Sequence, residues 1–190
     1  MEQRIKGTTG LMGLIGSPVG HSGSPDMYNF SFRYHHLDYA YLAFDIKEDQ
    51  VKAALDAMRL FRMRGCNVTM PCKNEAAKYM DELSPAARII GAVNTIVNEN
   101  GRLIGHITDG TGFVHNLKEN GVEVKNKKMV VLGAGGAATA IQVQCALDGA
   151  REISIFNPDD PFLARAKATA EKLRKERPEC KVQVFCLEDR

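Results

Sequence analysis

The sequence predicts an α/β fold in two units, and three observations predict it. Short apolar runs of strand length alternate along the chain with longer runs of helical period. Thr108-Asp109-Gly110-Thr111-Gly112 interrupts that alternation with flanking glycines, which sets a boundary at residue 110. Beyond it, the stretch from Lys127 to Ala140 runs from an apolar segment through a glycine turn into small helix-forming residues. Residues 1–110 are then a first α/β unit with a mostly parallel sheet, and residues 111–190 a second.

Composition narrows the class. The 190 residues are 44% hydrophobic and carry a net charge of +2, as an ordinary globular chain does. The charges are scattered, so nothing points to nucleic acid. The apolar run at residues 11–15 is too short for a signal core or a membrane span, so the expectation is a soluble, cytoplasmic protein. Cys66, Cys72, Cys145, Cys180 and Cys186 are odd in number and lack CxxC spacing. They read as reduced thiols rather than a disulfide framework or a zinc site, and no metal is expected.

In the first unit, residues 11–16 read as a buried parallel strand. The Gly- and Pro-rich segment 17–23 is a loop. Ser24-Pro25-Asp26 then signals a helix to about residue 36, with Ser24 as N-cap, a proline at the first position and an acid in the first turn. Residues 39–44 alternate as a strand, and 48–60 form an amphipathic helix with Val51, Ala54, Leu55 and Met58 on one face. Residues 66–70 are a short strand, and Pro71-Cys72-Lys73 opens a loop or a helix. Ser84-Pro85 repeats the Ser-Pro helix start. Residues 92–98 and 102–107 pair as a hairpin across Glu99-Asn100-Gly101.

In the second unit, residues 113–120 are a helix stopped by Gly121. Strands at 129–132, 152–156 and 181–185 alternate with helices at 136–147 and 161–175, one βαβαβ unit. Gly133-x-Gly135-x-x-Ala138, set between strand and helix, fits the dinucleotide fingerprint with alanine in the third place. Glycine takes positive φ or lets a ligand approach, and the N–H groups at a helix start suit a phosphate. A tight βα turn without ligand is the competing reading. The second unit is thus half of a Rossmann-like fold, which uses two such βαβαβ halves.

Three polar clusters lie at strand ends of the first unit, where ligands of open α/β sheets bind. His21, Ser22 and Ser24 follow the first strand; two hydroxyls there suit a polyol or a carboxylate, or Ser24 simply caps its helix. Asn67 and Thr69 are two apart and share one face if both are in the strand. Lys73, past that strand and a proline, is either a solvated charge or a partly desolvated amine able to exchange protons near neutrality. Asn94 interrupts an apolar run, so it is a structural clamp or a ligand contact. Asp109 is a turn residue or a functional acid.

Taken in order, His21-Ser22-x-Ser24-Pro25, Asn67-Val68-Thr69-Met70-Pro71-x-Lys73, Gly91-Ala92-Val93-Asn94-Thr95, Thr108-Asp109-Gly110 and Gly133-Ala134-Gly135-Gly136-Ala137 resemble the shikimate dehydrogenase family over nearly the whole chain. Ser-Pro-Ala-Ala at 84–87 and Thr-Asp-Gly-Thr-Gly at 108–112 look most like its quinate/shikimate branch. The resemblance implies reversible oxidation of the C3 hydroxyl of shikimate, or its equivalent in quinate, with hydride passing to a nicotinamide dinucleotide. It implies Lys73 and Asp109 as the catalytic pair. It implies Ser22 and Ser24 on the substrate carboxylate, Tyr41, Thr69 and Thr108 nearby, and Asn67 and Asn94 on the ring hydroxyls.

The same resemblance assigns the cofactor to Gly133, Ala134, Gly135, Gly136 and Ala137, and its ribose to Asn157, Asp159 and Asp160. Family members that use NADP usually have Asn-Arg-Thr after the second strand of this unit; here Asn157 is followed by Pro158, Asp159 and Asp160. Carboxylates accept from a ribose hydroxyl and repel a phosphate dianion, so NAD is the expected cofactor and NADP the alternative. The expected partner is a small-molecule substrate, with no nucleic acid or membrane, and a homodimer is compatible with the reading. Family members continue past the counterpart of Arg190 with a second Rossmann half, so the first strand of this unit should stand at a sheet edge with apolar surface exposed.

Overall fold

The computed structural model describes residues 5–188. The chain divides into two compact units, one running up to Ala87 together with Gly91–His106, the other made of Arg88–Ile90 with Ile107 onward.

The first unit contains β1 (Gly10–Gly16), α1 (Ser24–Tyr34), β2 (Tyr39–Asp45), a 3₁₀ turn at Glu48–Gln50, α2 (Val51–Leu60), β3 (Gly65–Val68), α3 (Lys73–Ala77), β4 (Glu82–Leu83), the first half of α4 (Pro85–Ile90), β5 (Thr95–Glu99) and β6 (Arg102–His106). Its sheet runs β2-β1-β3-β5-β6-β4. β1 is parallel to both β2 and β3, while β5 is antiparallel to β3 and to β6. From β1 the chain steps to β2 on one side, then returns past β1 to β3 on the other. Right-handed crossovers taken in opposite directions put α1 and α2 on opposite faces. β1 is accordingly apolar on both sides. Leu14 joins Val19, Phe32 and Tyr41 in one cluster. Ile15 lines the other face with Leu55 and Met58 of α2. Burying each such side chain contributes about 1.5–3 kcal/mol.

The second unit contains α5 (Asp109–Glu119), β7 (Lys128–Leu132), α6 (Gly136–Leu147), β8 (Glu152–Asn157), α7 (Pro161–Glu176) and β9 (Lys181–Cys186). Its strands are parallel in the order β7-β8-β9. Both crossovers step the same way, so α6 and α7 fall on one face. That face holds Ile153, Ile155 and Val182, all buried. On the other, Val130 is 67% and Leu132 76% exposed, and β7 pairs only with β8 among the described residues, as the family resemblance led us to expect.

Four local readings need correction. β3 ends at Val68, so Thr69 is outside the strand; Pro71 has no N–H for a ladder, and the carbonyls of Thr69 and Met70 accept from Cys72 and Ser17 instead. β5 begins at Thr95, leaving Asn94 just ahead of it. The segment 108–112 is no break: α5 starts at Asp109. Its Gly110 allows close packing on α6, because a Cβ there would come 2.3 Å from the Ala140 carbonyl oxygen. Finally, α1 is flanked by Gly23 and Ser24 does not cap it, whereas Ser84 does cap α4 by accepting from Ala87 N–H at 3.3 Å. Of the loop or helix that Pro71-Cys72-Lys73 could open, the structure has the helix, α3 from Lys73; the two-residue strand β4 lacks a sequence signal of useful length.

Candidate active site

The reversal of direction at β1 makes a switch point: loops leaving the carboxyl ends of β1 and β3 diverge to opposite faces and open a crevice. The antiparallel hairpin brings the start of β5 to the same edge, through the register pairs Asn67↔Thr95 and Thr95↔His106. Ser22, Ser24, Asn67, Thr69, Lys73 and Asn94 are therefore all carried by segments at one edge of one sheet.

The two loops are held together at their roots. Ser17 N–H donates to Met70 O at 3.0 Å, and Thr69 N–H to Ile15 O at 2.9 Å. Gly16 fits only as glycine, since a Cβ there would stand 2.3 Å from Thr69 Cγ2. Within the first loop, Ser22 Oγ accepts from Ser24 N–H at 3.2 Å. His21 is exposed. Past the second loop, Lys73 is half-buried as the first residue of α3. Its carbonyl accepts from Val93 N–H at 3.0 Å, and Asn74 Nδ2 donates to Gly91 O at 3.2 Å. These bonds tie α3 to the segment that presents Asn94.

Behind the edge runs a polar network. Tyr41 Oη donates to Asn67 Oδ1 at 2.8 Å. Asn67 Nδ2 donates to Asn94 O at 3.4 Å and to Thr95 Oγ1 at 3.3 Å, and Thr95 Oγ1 donates to Asn94 Oδ1 at 3.0 Å. Tyr41 is 1% exposed. Burial pushes its phenol well above the ordinary range, with Cys66 and Tyr28 adding to the shift, so it remains a hydrogen-bond donor. Its ring stacks on Tyr28 with centroids 4.4 Å apart. Asn29 clamps its backbone, accepting from Tyr41 N–H and donating to Tyr41 O, each at 2.9 Å. Tyr41 thus fixes the amide of Asn67 from behind. Asn29 and Thr95 were not singled out from sequence; the signal for Asn29 was a lone amide on the inward side of an aromatic-rich helix.

In the second unit, Gly133 turns the chain with φ of +100° and Gly135 is extended as the residue before α6. Thr139 Oγ1 donates to Ala134 O at 3.2 Å and Gln142 Nε2 to Gly133 O at 3.0 Å. Both residues are buried, and sequence reading missed them because their work is on backbone carbonyls. With those carbonyls held, Gly136 and Ala137 stay exposed at the helix start, while Ala134 is buried. A Cβ at Gly133, Gly135 or Gly136 would meet nothing within 4 Å, so the turn has open space before it. The donor set of free N–H groups and a helix start fits a pyrophosphate. At the end of β8, Asn157 is buried and donates to Asp160 Oδ1 at 2.7 Å. That oxygen also caps α7, accepting from Phe162 N–H at 2.8 Å. Asp159 is exposed. Thr108 and Asp109 are exposed at the start of α5. Among the described residues no group of His, Cys, Asp and Glu is arranged to hold a metal ion, and no helix is long and apolar enough to cross a membrane.

A mixed α/β unit with a polar strand edge, followed by a strand–glycine turn–helix unit, defines the class: a two-unit α/β protein of the dinucleotide-binding kind. Residues 14–96 match the shikimate dehydrogenase substrate binding domain. A shikimate dehydrogenase (NADP(+)) of Listeria monocytogenes is 52% identical over 98% of this chain and 64% of its own length. A quinate/shikimate dehydrogenase of Escherichia coli is 45% identical over 94% of the chain and 62% of its own. The crystal structure of shikimate 5-dehydrogenase from Listeria monocytogenes, in complex with shikimate and NAD, superposes with a TM-score of 0.95 at 51% identity, covering all of this chain and 65% of that one. The chain belongs to the shikimate dehydrogenase family, and it spans about 64% of the length of that Listeria relative.

Proposed function

We propose that the protein oxidises shikimate reversibly to 3-dehydroshikimate, or quinate to 3-dehydroquinate, with a nicotinamide dinucleotide as hydride acceptor. The observation that carries this is the gathering of Ser22, Ser24, Asn67, Lys73 and Asn94 on one edge of the first sheet at its switch point, in a member of this family. Residues 1–110 are the substrate-binding part in this reading, and residues 111–190 the first half of the dinucleotide-binding part.

The roles follow from the chemistry of the groups. Ser22 and Ser24 offer hydroxyls to the ring carboxylate, with Thr69 and Thr108 near it. Asn67, with its NH₂ committed to Asn94 O and Thr95 Oγ1, offers the second lone pair of its Oδ1 to a ring hydroxyl, and Asn94 receives another. Lys73 takes the proton of the C3 hydroxyl as hydride leaves and returns it in the reverse direction. Asp109 is the second member of the catalytic pair in this reading and orients the Lys73 amine. Gly133, Ala134, Gly135, Gly136 and Ala137 hold the pyrophosphate. The bound dinucleotide supplies the two-electron acceptor.

The preference for NAD rests on Asp159 and on Pro158 in place of an arginine; Asp160 has one carboxylate oxygen committed to its helix. The relatives' names include NADP(+), while the Listeria structure was solved with NAD. The test mixes the protein with shikimate or quinate and each oxidised dinucleotide and follows the reduced cofactor's absorbance. Turnover is expected with NAD, and Lys73→Ala should lower it roughly 10²–10⁴-fold while calorimetry still registers shikimate. Unchanged turnover in Lys73→Ala removes that residue from the mechanism. Equal efficiency with NADP overturns the cofactor preference. Binding without turnover in the unaltered chain identifies a binding module instead.

A further inference from the structure

At the edge of the first sheet opposite the candidate active site lies a cavity of about 450 Å³. We propose that it binds a small phosphate ester, held by the guanidinium groups of Arg62 and Arg64. The site is independent of the proposed active site: Arg64 stands just before β3, and Asn98, Asn100 and Gly101 belong to the β5–β6 hairpin. The residues already given roles lie beyond the other ends of these strands.

Three arginines and no acid line the cavity. Arg59 is neutralised and serves as a fixed wall. Its Nε donates to Gly101 O at 3.0 Å, its Nη2 meets Asp81 at 2.9 Å, and Asp56 lies 3.8 Å from Nη1. Arg62 and Arg64 are different: among the described residues neither guanidinium makes an ion pair or a side-chain hydrogen bond. Their backbones are nonetheless pinned. Arg62 N–H donates to Arg59 O at 3.1 Å, Arg64 N–H to Leu11 O at 3.0 Å, and Asn98 N–H to Arg64 O at 3.0 Å. Buried Asn98 secures the hairpin wall, donating to Met63 O at 2.8 Å and accepting from Gly101 N–H at 2.7 Å. The last carbonyls of α2 are occupied as well, by Phe61 and Met63 N–H, which blunts the negative end of the helix. Glu99 is the remaining acid on the hairpin, and it is exposed.

Arg62 and Arg64 are exposed, and both line this one concavity on backbone held by the bonds above, so a dianion entering it meets two guanidiniums without acid partners. Their planar forks match phosphate oxygens two at a time. A cavity of this size is in the range of small-molecule sites, with room for a short carbon body beside the phosphate.

The test uses calorimetry on the whole chain with glycerol 3-phosphate, inorganic phosphate and citrate as probes. Glycerol 3-phosphate should bind saturably, one per chain, and more tightly than either other probe. The pair Arg62→Asn and Arg64→Gln should weaken it about tenfold or more. Asparagine suits the left-handed backbone at position 62, where φ is +52°, so the fold should survive with an unchanged melting temperature. Gly136→Asp, which places a carboxylate on the glycine turn, should leave the binding intact. The proposal is overturned by no saturable binding, by equal binding in the arginine variants, or by tighter binding of citrate or of inorganic phosphate. Loss of binding in Gly136→Asp overturns it too, since the anion would then sit on the glycine turn.

Discussion

The two units make the same kinds of element and end with different surfaces, and strand order is the reason. In the first unit the chain reverses direction at β1, so helices cover both faces and Leu14 and Ile15, successive residues pointing opposite ways, are 6% and 5% exposed. In the second the order β7-β8-β9 never reverses among the described strands. Ile155 is fully buried under the helices, and Leu132 on the other face is 76% exposed. The hydrophobic pattern identifies a strand, and the direction of its crossovers decides which of its faces find cover. The reversal also creates the crevice: the polar edge of the first unit lies at its switch point.

Truncations across the covered and open faces give the largest effects. Leu14→Ala and Ile15→Ala in the first unit, and Ile155→Ala in the second, should each cost about 2–5 kcal/mol in urea denaturation. Leu132→Ala should stay within about 0.5 kcal/mol. A cost for Leu132→Ala equal to that of Ile155→Ala would break the comparison, because it would mean that the open face is covered in solution.

The two Ser-Pro helix starts sharpen it at a smaller scale. Ser84 caps α4 through Ala87 N–H, so Ser84→Ala should cost about 1 kcal/mol. Ser24 has the same local sequence signal but is not the N-cap; it is the first residue of α1, beside the crevice loop, and its N–H is bonded to Ser22 Oγ. Ser24→Ala should leave stability nearly unchanged and weaken shikimate in calorimetry. Equal stability losses in the two variants would make Ser24 a capping residue and remove it from the site.

The strands and long helices were legible because their periodicity is set within a few residues. Helix α6 is expected at residues 136–147, where it stands, because glycines before it and Gly149, with φ of +88°, after it mark both limits locally. The errors occur where distant contacts win. Asn94 reads as part of a strand that begins one residue later, at Thr95, although its N–H and C=O still bond His106 and Val68 of the neighbouring strands. Gly110 looked like a breaker and is a packing surface for α6. In the candidate site, the loops that present Ser22, Lys73 and Asn94 could be identified by their residues. The support supplied by Asn29, Thr95, Thr139 and Gln142 could not, since it consists of amides and hydroxyls satisfying partners that only the fold brings near.

Buried thiols probe the covered faces of both units with the smallest effect. Burial pushes Cys66 in the first unit and Cys145 in the second from an ordinary value near 9 up to about 12; Cys72 adds to the first, and Asp148 and Cys180 add to the second. A group whose pKa is raised by folding contributes stability that is complete below its unfolded value and lost as pH climbs toward the folded one. Stability should therefore be flat in these thiols up to about pH 8 and fall from about pH 9 upward, by less than about 1 kcal/mol per thiol at pH 9.5. Tyr41 shifts the same way but begins from 10, so measurements between pH 8 and 9.5 isolate the thiols. Cys66→Ala and Cys145→Ala should each flatten that slope, measured as the change in urea midpoint with pH. A slope unaltered in Cys145→Ala would show that the helix-covered face of the second unit admits solvent, and would remove the contrast with its open face.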